Sequence, residues 1–439
     1  MSTPARPAEV LQGRPYLVLL ALAALIGAPV SVVAYFFLEL EHAAQDWIFT
    51  TLPHELGWSA EPLWWPVPPL LLAGLLTGLV IRYLPGQGGH SPADGFAPHG
   101  ATSPITLPGI IAAALATLCL GVVLGPEAPL IAIGGGLAVC VLRLSRRPVP
   151  PRSETLVAAA GSFAAIATLL GSPIVGAFLL MEAVGLGGTA LELVLLPGLL
   201  AAGVGSLIFV GLDAWTGLGT FSLRVPGLPH VGAPGLGEFA WAIAIGLAAA
   251  AMGLAIQWLA RAIRPFVQRR ILLLTPLAGL AVAGLAIAYA AATGRPSSDV
   301  LFSGQSALPA LVVHAGGYAA GTLALLIACK GLAYSVSLSS FRGGPVFPAM
   351  FIGAAGGVLL GHLPGLTEVA GIAMGIGAMC AVMLRLPLTS VLLATLLLYS
   401  DGVAVMPLVI VAVVVGFVTA SRLAPAPDPA EHQAEHRAA

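Results

Sequence analysis

Long apolar segments follow one another along most of the chain, and short polar stretches separate them. Because a helix needs about 20 apolar residues to cross a bilayer, this pattern predicts an all-α integral membrane protein. Glycine (54 residues) and proline (36 residues) fall inside the segments, which predicts tilted and broken helices. The segments lie at roughly 16–40, 62–84, 107–142, 155–182, 190–212, 237–258, 271–292, 308–338, 345–363, 367–399 and 404–423.

The segment 107–142 is interrupted once, by the sequence GPEAP at 125–129. The pieces on either side, 107–123 and 130–142, are each too short to span a bilayer. Non-helical backbone at membrane depth is tolerated only where protein or a water-filled cavity satisfies it. We therefore predict two short helices whose ends meet near the middle of the membrane.

Glu127 lies at the centre of this break and is the only Asp, Glu, Lys or Arg between Asp94 and Arg143. A carboxylate at bilayer depth costs roughly 2.5–3.5 kcal/mol even on a lenient insertion scale, which favours a functional residue facing a watery path. The structural alternative is a glutamate that caps a helix amino terminus, which also suits the helix dipole.

Composition narrows the possible functions. Only 8% of the residues are charged, against about 25% in a typical soluble protein, and the mean hydropathy is +0.98. The net charge of −1 gives no basic surface for nucleic acid. The four cysteines lie in apolar segments without metal-ligand spacing, so we expect free thiols, no metal site and no cofactor.

Two arginine clusters set the expected topology. The stretches 143–152 and 261–270 each contain four arginines. By the positive-inside bias we expect both to be cytoplasmic loops, with both chain termini on the same side. The polar residues 1–15 run directly into the first apolar segment, and no A-x-A site closes a short apolar region, so no cleavable signal peptide is expected. We expect 1–15 to be a cytoplasmic segment and 424–439 to be a disordered tail.

The chain contains an internal repeat. The sequence IATLLGSPIVGAFLLME at 166–182 matches CAVMLRLPLTSVLLATL at 380–396, with Pro173 aligned on Pro387. The GPEAP motif has a counterpart in GGPVFP at 343–348. Paired broken helices predict a transport site where two homologous halves meet; the alternative is chance recurrence of proline. The predicted halves are membrane repeats 16–225 and 226–423.

Three glycine–proline motifs, at 88–92, 125–129 and 343–348, place glycine before a predicted helix start and proline near its first turn. A helix amino terminus presents unpaired N–H groups and about half a positive charge, so it binds anions without a full cation. Glycine lets an anion approach the backbone closely. Three such motifs in paired halves favour an anion pathway.

With these motifs the sequence resembles the CLC family of chloride channels and proton-coupled anion exchangers, over about 16–423. The resemblance is carried by GVVLGPEAPLIAIGGG (121–136), GSPIVGAFLLME (171–182), SSFRGGPVFPAMFIG (339–353) and, more loosely, GGHSPADGF (88–96). It implies a CLC-like inverted-repeat fold with re-entrant helices that transports chloride or a similar anion. It also implies a homodimer with one pore per subunit, surrounded by lipid in a bacterial plasma membrane, with no regulatory domain after the membrane part.

The resemblance implies that Glu127 is the gating glutamate, which occupies an anion site when ionised and vacates it when protonated. A carboxylate and a halide compete for the same N–H donors, and protonation removes the competitor. The anion-binding positions that the resemblance implies are Gly89, Ser91, Gly125, Ala128, Gly344, Val346, Phe347 and Phe417.

Several positions depart from the family pattern. Gly89 falls where the family has an anion-coordinating serine, and Phe417 falls where it has a tyrosine. Pro345 has no N–H to offer an anion, and Ala183 falls on the inner glutamate through which exchangers take up protons. We therefore predict a weak anion site and passive or loosely proton-coupled flux. The alternative is a proton-coupled exchanger of chloride or another anion such as nitrate or fluoride.

Four further residues keep two interpretations each. His90 is either a packed histidine or a pH-sensitive group at the inner mouth. Arg342 either attracts anions towards a vestibule or is a solvated loop charge. Glu182 is expected to be structural rather than a proton relay, and Lys330 is expected to snorkel or to be paired.

A membrane enzyme is the main competing class. The sequence has no H-E-x-x-H motif, its aspartates lie near segment ends, and the stretch 171–173 is not a nucleophile motif. A purely structural membrane protein would not explain Glu127 or the broken helices. We therefore expect a transporter without enzymatic activity.

Overall fold

The computed structural model describes residues 13–59, 61–96, 102–144, 151–184, 188–218, 234–398 and 402–424. These residues form helices joined by short loops. The helices are α1 (Arg14–Asp46), α2 (Val67–Tyr83), α3 (Leu107–Leu118), α4 (Glu127–Leu144), α5 (Pro151–Leu170), α6 (Pro173–Val184), α7 (Gly188–Thr216), α8 (Leu236–Arg269), α9 (Ile271–Thr293), α10 (Leu308–Val313), α11 (Ala320–Ser340), α12 (Val346–Gly361), α13 (Glu368–Leu384), α14 (Pro387–Leu397) and α15 (Gly402–Leu423).

Within the described ranges, eight helices are long and apolar enough to cross a membrane by length and composition. The first of these continues from α1 through a π-helical turn (Trp47–Thr51) to a final turn (Leu52–Glu55). The remaining apolar helices have 10–17 residues, shorter than the roughly 20 of a typical membrane span: α2, α3, α6, α12, α13 and α14. The structure confirms the predicted all-α, multi-span membrane fold with broken helices.

The predicted break at 125–129 is present, although the two helices beside it differ from the prediction. Helix α3 ends at Leu118, and α4 begins at Glu127 and runs to Leu144, beyond the predicted 130–142. The glutamate is therefore the first residue of α4 rather than part of a non-helical stretch. A loop at 119–126 separates the two helices.

Prolines divide two segments that hydropathy alone predicts as continuous. The segment 155–182 breaks before Pro173, which begins α6, and the segment 367–399 breaks before Pro387, which begins α14. Proline has no N–H and cannot continue a preceding helix, but it suits the first helical turn. Helices α6 and α14 pack against each other, as expected for equivalent parts of two halves. The proposed boundary at 225/226 lies outside the described residues.

The prediction of an arginine-rich loop at 261–270 is wrong. Arg261, Arg264 and Arg269 lie in the last turns of α8, and only Arg270 lies between helices. The apolar face of α8 continues past the predicted end at 258, so polar residues on its other face did not end the helix. Arg264 pairs with Asp94 near the first glycine motif.

Glycine pairs bring the two helices of the candidate site close to their neighbours. A Cβ atom at Gly134 of α4 would overlap the backbone of Gly161 in α5. A Cβ atom at Gly353 of α12 would likewise overlap the backbone of Gly375 in α13. Close backbone contact through small residues is a usual way to pack membrane helices, and here it fixes the directions of α4 and α12.

Candidate functional site

Helices α4 and α12 begin at the same place in the molecule. The residues just before them, Gly125 and Gly344, pair as an isolated antiparallel bridge. The Gly125 N–H donates to the Gly344 carbonyl at 2.8 Å, and the Gly344 N–H donates back at 2.6 Å. The predicted convergence of two helix amino ends, contributed by the second and third glycine–proline motifs, is therefore present.

The Glu127 side chain fills the space between these two amino ends and is fully buried, at 0% exposure. Its Oε1 accepts a hydrogen bond from the Val346 N–H, and the backbone amides of Phe347 and of Glu127 itself also stabilise the carboxylate. Its Oε2 has no hydrogen-bond partner among the described residues. A carboxylate held in this way occupies the N–H groups that an incoming anion would need.

Glycine is required at both residues of the bridge because Glu127 lies directly against them. A Cβ atom at Gly125 or at Gly344 would overlap the Glu127 carboxyl group. Neither glycine has a positive φ, so close approach rather than backbone conformation explains the residue type.

Helix α11 contributes two contacts that the sequence interpretation missed. The buried Tyr334 hydroxyl donates to the Pro345 carbonyl at 2.8 Å, and Tyr334 is close enough to Glu127 for the glutamate's charge to act on it. The Ser337 hydroxyl accepts the Val123 N–H at 3.3 Å. Helix α11 thus holds the residues that precede both α4 and α12. In the sequence, the one feature that could have indicated these contacts is a tyrosine followed by several serines within the apolar segment 308–338.

A cavity of about 300 Å³ lies beside the first turn of α4. Its wall is mainly apolar, with a few polar side chains, and it includes Ala128, Gly89 and His90. The residues that line it are Gly88, Gly89, His90, Pro92, Gly95, Phe96, Thr102, Ile110, Ala128, Pro129, Ile131, Ala132, Thr155, Ala158, Ala159, Ser162, Phe163, Leu180, Val184, Val194, Arg342, Gly343 and Pro345. An apolar cavity with few polar groups, next to a buried acid, is the expected form of a binding pathway.

Arg342 places a positive charge in the cavity wall. Its Nε donates to the Gln87 carbonyl at 3.2 Å, and its guanidinium also donates to the Phe341 carbonyl at 3.2 Å. Burial, and then the charge of Arg264, lower the pKa of Arg342 to about 10, so the side chain stays cationic at neutral pH. This position favours the anion-attracting interpretation over a solvated loop charge.

The first glycine–proline motif does not begin a helix of useful length, which corrects the prediction. Pro92–Asp94 form a single 3₁₀ turn, and the next helix among the described residues begins at Leu107. A single turn has no appreciable dipole. Gly88 and Gly89, with φ of 72° and 94°, instead shape a loop in the cavity wall. Ser91 is buried beside it, and its carbonyl accepts the Asp94 N–H at 3.1 Å.

Glu182 caps α14. Its carboxylate accepts the Leu388 N–H at 2.9 Å, the Thr389 N–H at 2.8 Å and the Thr389 hydroxyl at 2.6 Å. These contacts agree with the predicted structural role. Ala183 follows it in α6, half-buried among apolar neighbours.

Lys330 is paired rather than snorkelling. Its buried ammonium donates to the carbonyls of a loop that follows α9, and the N–H of Phe302 in that loop donates to the Gly121 carbonyl at 3.2 Å. Lys330 therefore holds the loop 299–302, which in turn contacts the loop 119–126 that leads to Glu127. The four accepting carbonyls, at 2.9–3.3 Å, belong to Asp299, Val300, Leu301 and Phe302.

Phe417 lies in the second half of α15, half-buried and packed against the apolar core. Within the described part of the chain, the aromatic hydroxyl close to Glu127 belongs to Tyr334. Tyr334 donates this hydroxyl to the Pro345 carbonyl, and Phe417 itself has no hydroxyl. The four cysteines are free thiols, and no group of three His, Cys, Asp or Glu side chains in the described residues could hold a metal ion.

Comparison with known proteins gives consistent matches. Residues 73–421 match the family model described as voltage gated chloride channel. The protein named "Putative ion-transport protein YfeO" of Escherichia coli O1:K1 / APEC is 29% identical over 360 residues, which cover 80% of this chain and 81% of that protein. A slow cyanobacterial Cl⁻/H⁺ antiporter has a similar crystal structure, with a TM-score of 0.72 and 19% identity over 96% of this chain and 97% of that one. A CLC-type fluoride/proton antiporter gives a TM-score of 0.69 and 20% identity over 92% and 96% of the two chains.

Proposed function

Because the chain belongs to the voltage gated chloride channel family, whose members transport anions, we propose that it moves chloride or a similar anion across the membrane past Glu127. The ionised carboxylate blocks the anion position between the amino ends of α4 and α12, and the protonated side chain leaves it. The observation that carries this proposal is the buried Glu127 carboxylate bound to the Val346 N–H. An anion entering from the cavity would replace the carboxylate at the same donors.

Loose coupling to protons follows from the residues around this site. Ala183 offers no second proton carrier in α6, and Pro345 offers no N–H at the start of α12. Tyr334 supplies one hydroxyl, but that hydroxyl donates to the Pro345 carbonyl, which leaves it unavailable to donate to an anion. We therefore propose passive or weakly coupled anion flux.

Strict proton-coupled exchange is the second candidate. It is favoured by the two similar structures, which are a Cl⁻/H⁺ antiporter and a fluoride/proton antiporter. Their identities of 19% and 20% indicate a shared fold and leave the coupling of this chain to be measured.

Purified protein in lipid vesicles, with an anion electrode and a proton electrode, separates the two candidates. We expect anion efflux that rises on acidification, with little uphill proton movement under a chloride gradient. Glu127→Gln and Glu127→Ala are expected to abolish the pH dependence of the efflux. Uphill proton movement at a fixed ratio to chloride would establish exchange, and unchanged pH dependence in both variants would remove Glu127 from the mechanism. Chloride, nitrate and fluoride are compared in the same assay.

The assembly and location that we propose follow the family. The protein forms a homodimer with one anion pathway per subunit, lies in a bacterial plasma membrane, and has cytoplasmic termini. Two homologous halves, divided near 225/226, build the pathway. The transport activity needs no cofactor, nucleic acid or enzymatic step.

A further inference from the structure

The proton that neutralises Glu127 must reach a fully buried side chain. The described residues Glu41, Tyr334 and Cys380 are titratable and interact electrostatically with Glu127. Isolated tyrosine and cysteine release protons near pH 10 and 8.5, whereas an isolated glutamate titrates near pH 4.3. Of the three, Glu41 therefore has the chemistry that best suits a proton donor to a carboxylate.

Glu41 lies in the last turns of α1 and is held in a defined position. Gln45, one turn later, donates through Nε2 to Glu41 Oε1 at 3.2 Å and to the Leu118 carbonyl at 3.0 Å. This amide ties the acid to the carboxyl end of α3, where the loop 119–126 leads to Glu127. Helix α1 also packs directly against α4. Glu41 interacts electrostatically with Glu127 and with the thiol of Cys119, the residue that follows Leu118.

Glu41 lies outside the anion cavity and is slightly more exposed than Glu127. Its residue exposure is 7%, compared with 0% for Glu127. Neither Glu41 nor Gln45 lines the cavity that contains Arg342. Helix α1 begins at Arg14, and Glu41 lies about 40 Å along the helix from this expected cytoplasmic end.

We propose that Glu41 is a proton-transfer residue that exchanges protons between the aqueous phase away from the anion cavity and Glu127. This inference rests on the proposed gating by Glu127. The Glu41 carboxyl group gives its proton to a Glu127 carboxylate oxygen, the resulting Glu41 carboxylate takes a proton from water, and the neutral Glu127 leaves the anion position. Two buried carboxyl groups that interact titrate as a pair, so each affects the pH response of the other.

Glu41→Gln tests this assignment because it keeps the size and an acceptor oxygen for Gln45 but carries no acidic proton. We expect the rise in anion efflux after an acid jump to be at least about tenfold slower than in the wild type. Glu41 is neutral while it holds the proton that it donates, so Glu41→Gln removes no negative charge at that stage, and the midpoint of acid activation should stay near the wild-type value. Glu39→Gln is the matched control: its carboxylate, on the same helix, interacts with His42 and Asp213, and its response stays at the wild-type rate.

Glu41→Asp retains the acid with a shorter reach, so its midpoint stays near the wild-type value while its response is slowed. It also keeps the test decisive if Glu41→Gln does not fold. A wild-type rate of the acid response in both variants would overturn the role of Glu41. If Glu127→Gln abolishes the pH dependence while the Glu41 variants match the wild type, only this inference fails. If Glu127→Gln itself keeps the wild-type pH dependence, the proposed function fails.

Discussion

Replacing Gly344 by alanine tests whether Glu127 blocks the pathway by filling the space between the two amino ends. A Cβ atom at this position would overlap the Glu127 carboxyl group, so the carboxylate must move away from the Val346 N–H. The φ angle of Gly344 is not positive, so the backbone tolerates alanine. The substitution therefore displaces the gating side chain without removing its charge.

The size of the effect follows from the interaction that is lost. A hydrogen bond to a charged group contributes about 1.5–3 kcal/mol. Since each 1.4 kcal/mol changes an equilibrium constant tenfold, Gly344→Ala lowers the ratio of blocked to open states by roughly 10- to 150-fold. A pathway that is mostly blocked at neutral pH should become mostly open.

The assay is anion efflux from vesicles at pH 7.5 and pH 4.5. We expect Gly344→Ala at pH 7.5 to reach the wild-type efflux seen at pH 4.5, with little further rise on acidification. Gly356→Ala is the matched control, since Gly356 lies in α12, the helix that Gly344 precedes, and its Cβ atom would meet no atom within 4 Å. Efflux in Gly344→Ala that stays low at pH 7.5, or an equal change in Gly356→Ala, would refute the reasoning.

Three further predictions concern the surroundings of the site. Tyr334→Phe removes the hydrogen bond from the tyrosine hydroxyl to the buried Pro345 carbonyl and should lower the free energy of unfolding by about 0.5–1.5 kcal/mol. Denaturation in detergent measures this change, and an unchanged value would contradict the contact. Glu182→Ala removes the cap of α14 and should lower the free energy of unfolding by about 1–2 kcal/mol. The pH profile of anion efflux should stay unchanged, whereas a shifted profile would indicate a proton relay. Arg342→Gln should reduce anion efflux several-fold at low ionic strength and less at high salt, because salt screens the attraction between the arginine and the anion. A reduction that does not depend on salt would argue against this attraction.

The sequence predicted the parts of the site that depend on local patterns. The break at 125–129 was visible because glycine and proline interrupt an apolar segment, and Glu127 was conspicuous as an isolated charge. The pairing of this break with the one at 343–348 followed from the internal repeat. The structure brings them together through the Gly125–Gly344 bridge.

The contacts of α11 could not be predicted because they join residues far apart in the chain. Ser337 and Val123 are 214 positions apart, and no local periodicity indicates which buried hydroxyl will meet which loop. The same limit applies to Glu41, whose relation to Glu127 depends on the packing of α1 against α4. The first glycine motif was misjudged because its glycines fit a loop with positive φ as well as a helix start.

The central claim is that the Glu127 carboxylate and a transported anion compete for the amino ends of α4 and α12. The most direct test is calorimetric titration of chloride into the detergent-solubilised protein at several pH values. Protonation removes the competitor, so chloride affinity should rise as the pH falls, with protons taken up on binding. In Glu127→Gln the affinity should be high and independent of pH. Chloride binding that is equally pH-dependent in the wild type and in Glu127→Gln would contradict the account.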